Sequence, residues 1–149
     1  MRVVIQRVRR AAVIIDQKVV GEIGTGLVVF LGVGRGDGEK EVDWMAEKIA
    51  HLRIFENAEG RMDRSLQEAH GEALVVSEFT LYGDARKGRR PDFTGAAAPA
   101  EAEPLYHRFV QGLRGRGVPV RSGVFGARML VQLENDGPVT LILEREPAG

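Results

Sequence analysis

The residues with the most chemical promise lie in two short segments. In Ser77-Glu78-Phe79-Thr80-Leu81, a serine and a threonine flank an aromatic at the polar end of the apolar run Leu74-Val75-Val76. The end of a strand leaves backbone N–H groups without a ladder partner, and such groups stabilise a developing oxyanion with no charged side chain involved. Taken alone, the segment is equally a strand terminus whose hydroxyls are satisfied. No glycines flank Ser77 as in a nucleophile elbow, and Thr80 has no recognisable base beside it. The second segment, Asn135-Asp136-Gly137-Pro138-Val139-Thr140, reads locally as a turn between strands. A third stretch, Arg86-Lys87-Gly88-Arg89-Arg90-Pro91, is basic and has no apolar period, which suits an exposed loop that either meets phosphate or only solubilises the surface. The histidines, His51, His70 and His107, have no second ligand at metal-binding spacing, so no metal site is expected. Asp16, Asp43 and Glu47 read as solvated charges.

A small domain must hold these segments in place. The chain has 149 residues with 21 basic and 21 acidic side chains, and a domain of this size buries roughly 70% of its unfolded surface without metals or disulfides. Cysteine is absent, which removes thiol nucleophiles, thiolate zinc sites and disulfide frameworks and is compatible with a reducing cytoplasm. Zero net charge argues against non-specific coating of nucleic acid but leaves room for a local basic patch. The start, Met1-Arg2-Val3-Val4-Ile5-Gln6-Arg7, lacks the apolar core of a signal peptide, so the mature fold is expected to begin at once. The longest apolar stretch, 27–33, is far short of the ~20 residues that span a bilayer and reads as a buried strand. No membrane role is expected.

Along the chain, Val3, Ile5 and Val8, then Val13 and Ile15, then Val19 and Ile23 alternate with polar residues and predict two or three strands. A strand over 27–32 follows, closed by a glycine-rich loop at 34–38. That loop lacks the Gly-Lys-Ser/Thr of a phosphate loop and reads as a plain strand-to-helix turn. Val42, Met45, Ala46 and Ile49 recur at helical spacing and predict a helix from Glu39 to about Leu52. Residues 57–60 read as a polar turn, and the segment to Gly71 as loop or short irregular strand. A β-like run covers 73–81, an exposed loop 83–98, and a second helix starts at Pro99 and runs to about Leu113, with Leu105, Tyr106, Phe109 and Leu113 on one face. Three closing strands are predicted at 118–121, 129–133 and 139–143. The order is two strands, strand–helix twice, then three strands, which makes one α/β or α+β domain over residues 1–149 with helices packed on layered sheet.

Together with the start Arg2-Val3-Val4-Ile5-Gln6-Arg7-Val8, the basic run at 86–91 and Gly123-Val124-Phe125-Gly126-Ala127, the two chemical segments resemble the bacterial and eukaryotic D-aminoacyl-tRNA deacylases over about residues 1–145. The family's strand-end motif, Ser-Gln-Phe-Thr-Leu, is matched by Ser77, Phe79, Thr80 and Leu81. Its second motif, Asn-x-Gly-Pro-Val-Thr, is matched by Asn135, Gly137, Pro138, Val139 and Thr140.

The resemblance implies a homodimeric esterase, without cofactor or metal, that hydrolyses the bond between a D-amino acid, or glycine, and the terminal ribose of transfer RNA. It implies a site at the subunit interface, where Phe79 and Thr80 N–H groups polarise the ester and the ribose 2'-hydroxyl helps to activate water. It further implies a cis Gly137–Pro138 peptide whose carbonyls enter the partner's pocket and exclude an L side chain, although only about 5% of X–Pro bonds are cis. Arg7 matches an arginine that clamps this motif; read without the resemblance it is a surface arginine. Thr80 is assigned to positioning ahead of nucleophilic attack, and Arg86, Lys87, Arg89 and Arg90 to holding the RNA acceptor end. Glu78 stands where the family usually has Gln, exchanging an amide that donates for a carboxylate that only accepts. Two rivals are a non-catalytic nucleic-acid-binding dimer and a sister deacylase with a trans Gly–Pro peptide and relaxed chirality.

Overall fold

In the computed structural model, which describes residues 1–147, the alternating stretches between Val3 and Ile15 form one long strand, β1 (Arg2–Ile15), whose alternation changes phase at its middle, where Arg7 and Val8 are both buried and Arg9 and Arg10 both exposed. Asp16 and Gln17 take positive φ values of 49° and 66°, as a tight hairpin requires, and lead into β2 (Lys18–Ile23). β3 (Gly26–Gly32) returns antiparallel to β1. It reads as a continuous apolar run because both its faces are covered: Leu27, Val29 and Leu31 point to the helices, while Val28 points to the opposite face.

Helix α1 (Glu39–His51) starts where the Gly38 N–H donates to the Glu41 carboxylate at 2.8 Å. It buries Val42, Met45, Ala46 and Ile49, the face expected from the spacing. The segment expected to be irregular contains a short hairpin, β4 (Phe55–Glu56) and β5 (Met62–Arg64), turned by Asn57, whose side-chain oxygen accepts from the N–H groups of Glu59 and Arg61. β6 (Glu72–Ser77) then lies parallel to β3, helix α2 (Pro99–Gly115) crosses over, and β7 (Val120–Ser122) lies parallel to β6. The Tyr106 hydroxyl ties α2 to the sheet by donating to the Val75 carbonyl at 3.1 Å. Leu105 is only half-buried; Ala102 and Val110 complete the apolar face.

The closing region departs from expectation. Two of the three anticipated strands are one, β8 (Leu130–Glu144), which runs antiparallel along nearly all of β1. The supposed turn at 134–138 stays inside this strand, because β1 is long enough to template residues on both sides of it. The sheet order is β2-β1-β3-β6-β7, with β8 on the other edge of β1. The result is a mixed α+β domain, with one core between sheet and helices and a second around Val8, Val13, Val28, Leu74 and Val76 on the opposite face.

Candidate active site

Ser77 is the last ladder residue of β6, opposite Leu31, and the Glu78 N–H still donates to the Leu31 carbonyl at 2.8 Å. Beyond it the chain does not continue as strand. Phe79–Tyr82 coils into a single 3-10 turn. Tyr82 drives the reversal by folding back across β3, where a Cβ on Gly34 would overlap the tyrosine hydroxyl and one on Gly32 would lie 3.1 Å from the Leu81 Cβ. Arg2 fixes the turn from below: its Nη1 donates to the Leu81 carbonyl at 3.1 Å and its guanidinium lies 4.6 Å over the Tyr82 ring. Burial pushes the Tyr82 phenol well above its ordinary range, so it stays a neutral structural ring.

The turn leaves its first two amides, at Phe79 and Thr80, with no acceptor among the described residues. The Thr80 hydroxyl donates to Glu78 Oε1 at 2.9 Å. The Phe79 ring is 58% exposed and meets Phe93 edge-on, with centroids 5.3 Å apart. Ser77, Glu78, Phe79 and Thr80 are thus brought together around a pair of free N–H donors.

The second segment is a bulge. In the β1–β8 register Gln6 faces Thr140 and Val8 faces Asn135, so residues 136–139 all stand opposite Arg7 alone. Asn135 spans the bulge: its side-chain oxygen accepts from the Val139 N–H at 2.8 Å, while its amide nitrogen donates to the Val139 carbonyl at 3.1 Å and to Thr140 Oγ1 at 3.2 Å. Arg7 is 5% exposed and is no surface arginine; its Nε donates to the Asp136 carbonyl at 3.1 Å and its Nη1 to the Ile54 carbonyl at 2.7 Å. Gly137 has φ 140°, and a Cβ there would lie 2.7 Å from Val139 Cγ2, so only glycine fits. The Gly137–Pro138 peptide is cis. Gly137 and Pro138 are exposed and have no ladder partner among the described residues, whereas Val139 is buried.

One chain does not join these halves. The turn rests on Arg2 and the bulge on Arg7, five residues along β1, or roughly 16 Å of strand. A concavity of about 760 Å³, lined by Arg10, Glu22, Glu72, Arg121 and Gln132 among others, contains neither.

The basic loop lies at the turn's other side. An isolated antiparallel bridge between Asp84 and Asp92 closes it, and Phe93 then packs on Phe79. Arg86 is held by Asp84 through two hydrogen bonds of 2.6 and 2.9 Å, which lower the Asp84 carboxyl to a pKa of about 2. Lys87, Arg89 and Arg90 are exposed, with no acidic partner among the described residues. Arg2, Tyr82, Asp84 and Phe93 are supporting residues that sequence reasoning does not single out. The signals for them are an arginine that opens the family start and a lone aromatic in a polar loop. Gly123–Ala127 lies in the connection from β7 to β8, where Phe125 tilts against Tyr106 at 5.8 Å.

Among the described residues, no group of three or more His, Cys, Asp or Glu side chains is arranged to hold a metal ion, and no helix is long and apolar enough to cross a membrane. His51 and His107 lie 3.1 and 3.5 Å from Glu47 and Glu103 on their own helices.

Comparison with known proteins covers the same span as both motifs. Residues 4–144 match a family model described as D-Tyr-tRNA(Tyr) deacylase. The chain is 56% identical over 146 residues to a D-aminoacyl-tRNA deacylase of Symbiobacterium thermophilum, covering 98% of this chain and 97% of that one. It is 53% identical over 144 residues to one of Thermotoga petrophila, covering 97% of each. The solved structure of a c-Myc DNA Unwinding Element Binding Protein superimposes with a TM-score of 0.91 at 39% identity, covering 98% of this chain and 99% of that one. A probable eukaryotic D-amino acid tRNA deacylase shares the fold at a TM-score of 0.80 and 24% identity, covering 95% of this chain and 97% of that one. With the model matched nearly end to end and relatives above half identity across the full length, this chain belongs to the D-Tyr-tRNA(Tyr) deacylase family.

Proposed function

We propose that the chain hydrolyses the ester joining a D-amino acid, or glycine, to the terminal ribose of transfer RNA, and that it acts in the cytoplasm as a homodimer. The observation that carries this reading is the pair of free amides at Phe79 and Thr80, set in the family's strand-end motif. An ester carbonyl placed against them gains two hydrogen bonds that strengthen as the oxygen takes on charge in the tetrahedral intermediate. Water attacks with help from the ribose 2'-hydroxyl. Thr80 and Ser77 orient the acyl end, and no side chain need carry the nucleophile.

Selection falls to the bulge. Gly137 and Pro138 of one subunit present their carbonyls to the turn of the other and leave no room for a side chain of L hand, while a D side chain points away. Glycine has nothing to exclude and passes the same filter. Two features support a second copy: the turn and the bulge are held five residues apart on β1, and among the described residues β8 pairs only with β1, so its other edge, 15 residues long, has no ladder partner there. Lys87, Arg89 and Arg90 hold phosphates of the acceptor end without reading bases.

The rival, a nucleic-acid-binding dimer without catalysis, draws on the likeness to the c-Myc DNA Unwinding Element Binding Protein, whose name states that it binds DNA. Discharge of D-tyrosyl- and glycyl-tRNA by purified protein separates the two. Release of both amino acids, undiminished by a chelator, is expected. Tight tRNA binding with no release would favour the rival, and loss of activity on chelation would overturn the amide mechanism.

A further inference from the structure

The glycine-rich loop between β3 and α1 has no part in the chemistry proposed above, yet it holds a buried ion pair behind the same turn. The Asp37 side chain is wholly shielded from solvent. Its carboxylate accepts from the Met1 α-ammonium, 2.8 Å from Oδ2 and 3.0 Å from Oδ1, and from the Gly34 N–H at 2.7 Å. The ammonium also donates to the Arg145 carbonyl at 2.7 Å. Among the described residues no Lys, Arg or His side chain pairs with Asp37, so the ammonium is its one cationic partner there. Desolvation offsets most of the attraction within a buried pair, so its net contribution to stability is small. What it supplies is a fixed geometry.

Both groups that Asp37 holds lead to the turn. Gly34 lies so close to Tyr82 that a Cβ there would overlap the tyrosine hydroxyl. Met1 is followed by Arg2, whose guanidinium covers the Tyr82 ring and whose Nη1 donates to the Leu81 carbonyl. Tyr82 closes the 3-10 turn that opens on the free amides of Phe79 and Thr80. One carboxylate thus fixes the backbone against Tyr82 and the start of the strand that carries Arg2. Asp37 is close enough to Tyr82 that its charge adds to the upward push that burial gives the phenol. Donors that stabilise an oxyanion act only when they are held in place before the reaction, and small errors in their aim are costly.

We infer that Asp37 is a positioning residue for the ester-polarising amides: through Gly34, Tyr82 and Arg2 it aims the Phe79 and Thr80 N–H groups, and so governs the rate of discharge. It leaves the choice of hand alone, because the bulge is held by Arg7 and Asn135. The inference rests on the deacylase reading of the turn.

The test measures single-turnover discharge of D- and L-tyrosyl-tRNA by the wild-type protein, Asp37→Asn, Arg2→Ala and the double variant. Asn keeps an acceptor for the Gly34 N–H but removes the charge that faces the ammonium. The maximal rate of Asp37→Asn should fall by about tenfold to a hundredfold, the scale of a misplacement of ~1 Å. The half-saturating tRNA concentration and the preference for D should stay unchanged. Arg2→Ala should lose rate in the same way, and the double variant should lose little more than either single one, since both residues act on one turn. Hydrogen exchange should quicken at the Leu81 and Gly83 amides, which donate to the Glu78 and Thr80 carbonyls, while the β1–β3 ladder stays protected. An unchanged maximal rate, losses that multiply in the double variant, or a ladder that opens together with the turn overturns the inference. Should Asp37→Asn not fold, Asp37→Glu carries the test: it keeps the charge but displaces the loop, and a full maximal rate there overturns the inference equally. A wild type that discharges neither ester removes the deacylase reading and the inference with it. Normal discharge indifferent to residue 37 removes only the inference.

Discussion

Arg7 illustrates how a single side chain couples the fold to the proposed filter. Its guanidinium, 5% exposed, joins the Ile54 carbonyl after α1 to the Asp136 carbonyl in the bulge, with Glu56 Oε1 at 3.5 Å. Truncation to Ala leaves a buried carbonyl unpaired and frees one end of the bulge. A loss of about 2–3 kcal/mol in urea unfolding is expected, together with reduced discrimination between D and L esters. A change below ~0.5 kcal/mol would mean that the clamp carries little. Thr80 tests the chemistry. If its hydroxyl only orients the acyl end and caps Glu78, Thr80→Ala should slow discharge by about tenfold, the worth of one hydrogen bond. A nucleophile would instead show a loss approaching the roughly million-fold cost of removing one from a catalytic triad.

At the level of elements, the sequence was informative wherever apolar period decides structure. The stripes at Val42–Ile49 and Tyr106–Leu113 marked the helices, and the unbroken run through Leu27 and Val29 marked the doubly covered strand. It was less informative where backbone alone decides. Asn135-Asp136-Gly137-Pro138 has the composition of a turn, yet Asn135 caps a bulge within β8 while β1 holds the ladder on either side. Likewise Phe79-Thr80-Leu81 extends a β-like pattern, but the room left by Gly32 and Gly34 lets Tyr82 coil the chain back. The hairpin of β4 and β5, two and three residues long, is too short to show a period. The site residues themselves were legible only as family motifs, since none belongs to a titratable cluster.

The basic loop makes a prediction at the same scale. Lys87→Ala with Arg89→Ala should weaken tRNA binding and lower the slope of log K against log salt by about 1–2. Arg86→Ala should change the slope less, because Asp84 already neutralises it. The folded Asp84 carboxyl sits lower than its unfolded range, so this pairing is intact above about pH 4 and is lost only as pH falls through about 2. It therefore holds at any pH used for assay. Asp84→Asn, by releasing Arg86, should steepen the slope; equal effects at all positions of the loop would mean that the loop only solubilises.

At the scale of the whole molecule, the turn and the bulge that we propose as two halves of one site are anchored at separate places along β1. The β1 residues that hold the turn and the bulge, Arg2 and Arg7, are roughly 16 Å apart along the strand, and the last strand has one edge without a ladder partner among the described residues, with Leu130 67% and Ile142 72% exposed. A second copy related by a two-fold axis would supply each turn with a bulge. Sedimentation should give twice the 16.3 kDa chain mass, and dilution into the dissociating range should abolish chiral selection along with the dimer. The balanced charge of 21 against 21 then conceals an uneven molecule, with three cations in one loop, unpaired among the described residues, beside the turn to whose backbone amides we assign the chemistry. The central claim is that this turn hydrolyses esters of one hand. Parallel discharge of D-tyrosyl- and L-tyrosyl-tRNA by one preparation, at matched concentrations, tests it most directly. The expected result is rapid release of D-tyrosine with L-tyrosyl-tRNA surviving at its spontaneous rate, and equal release of the two would contradict the account.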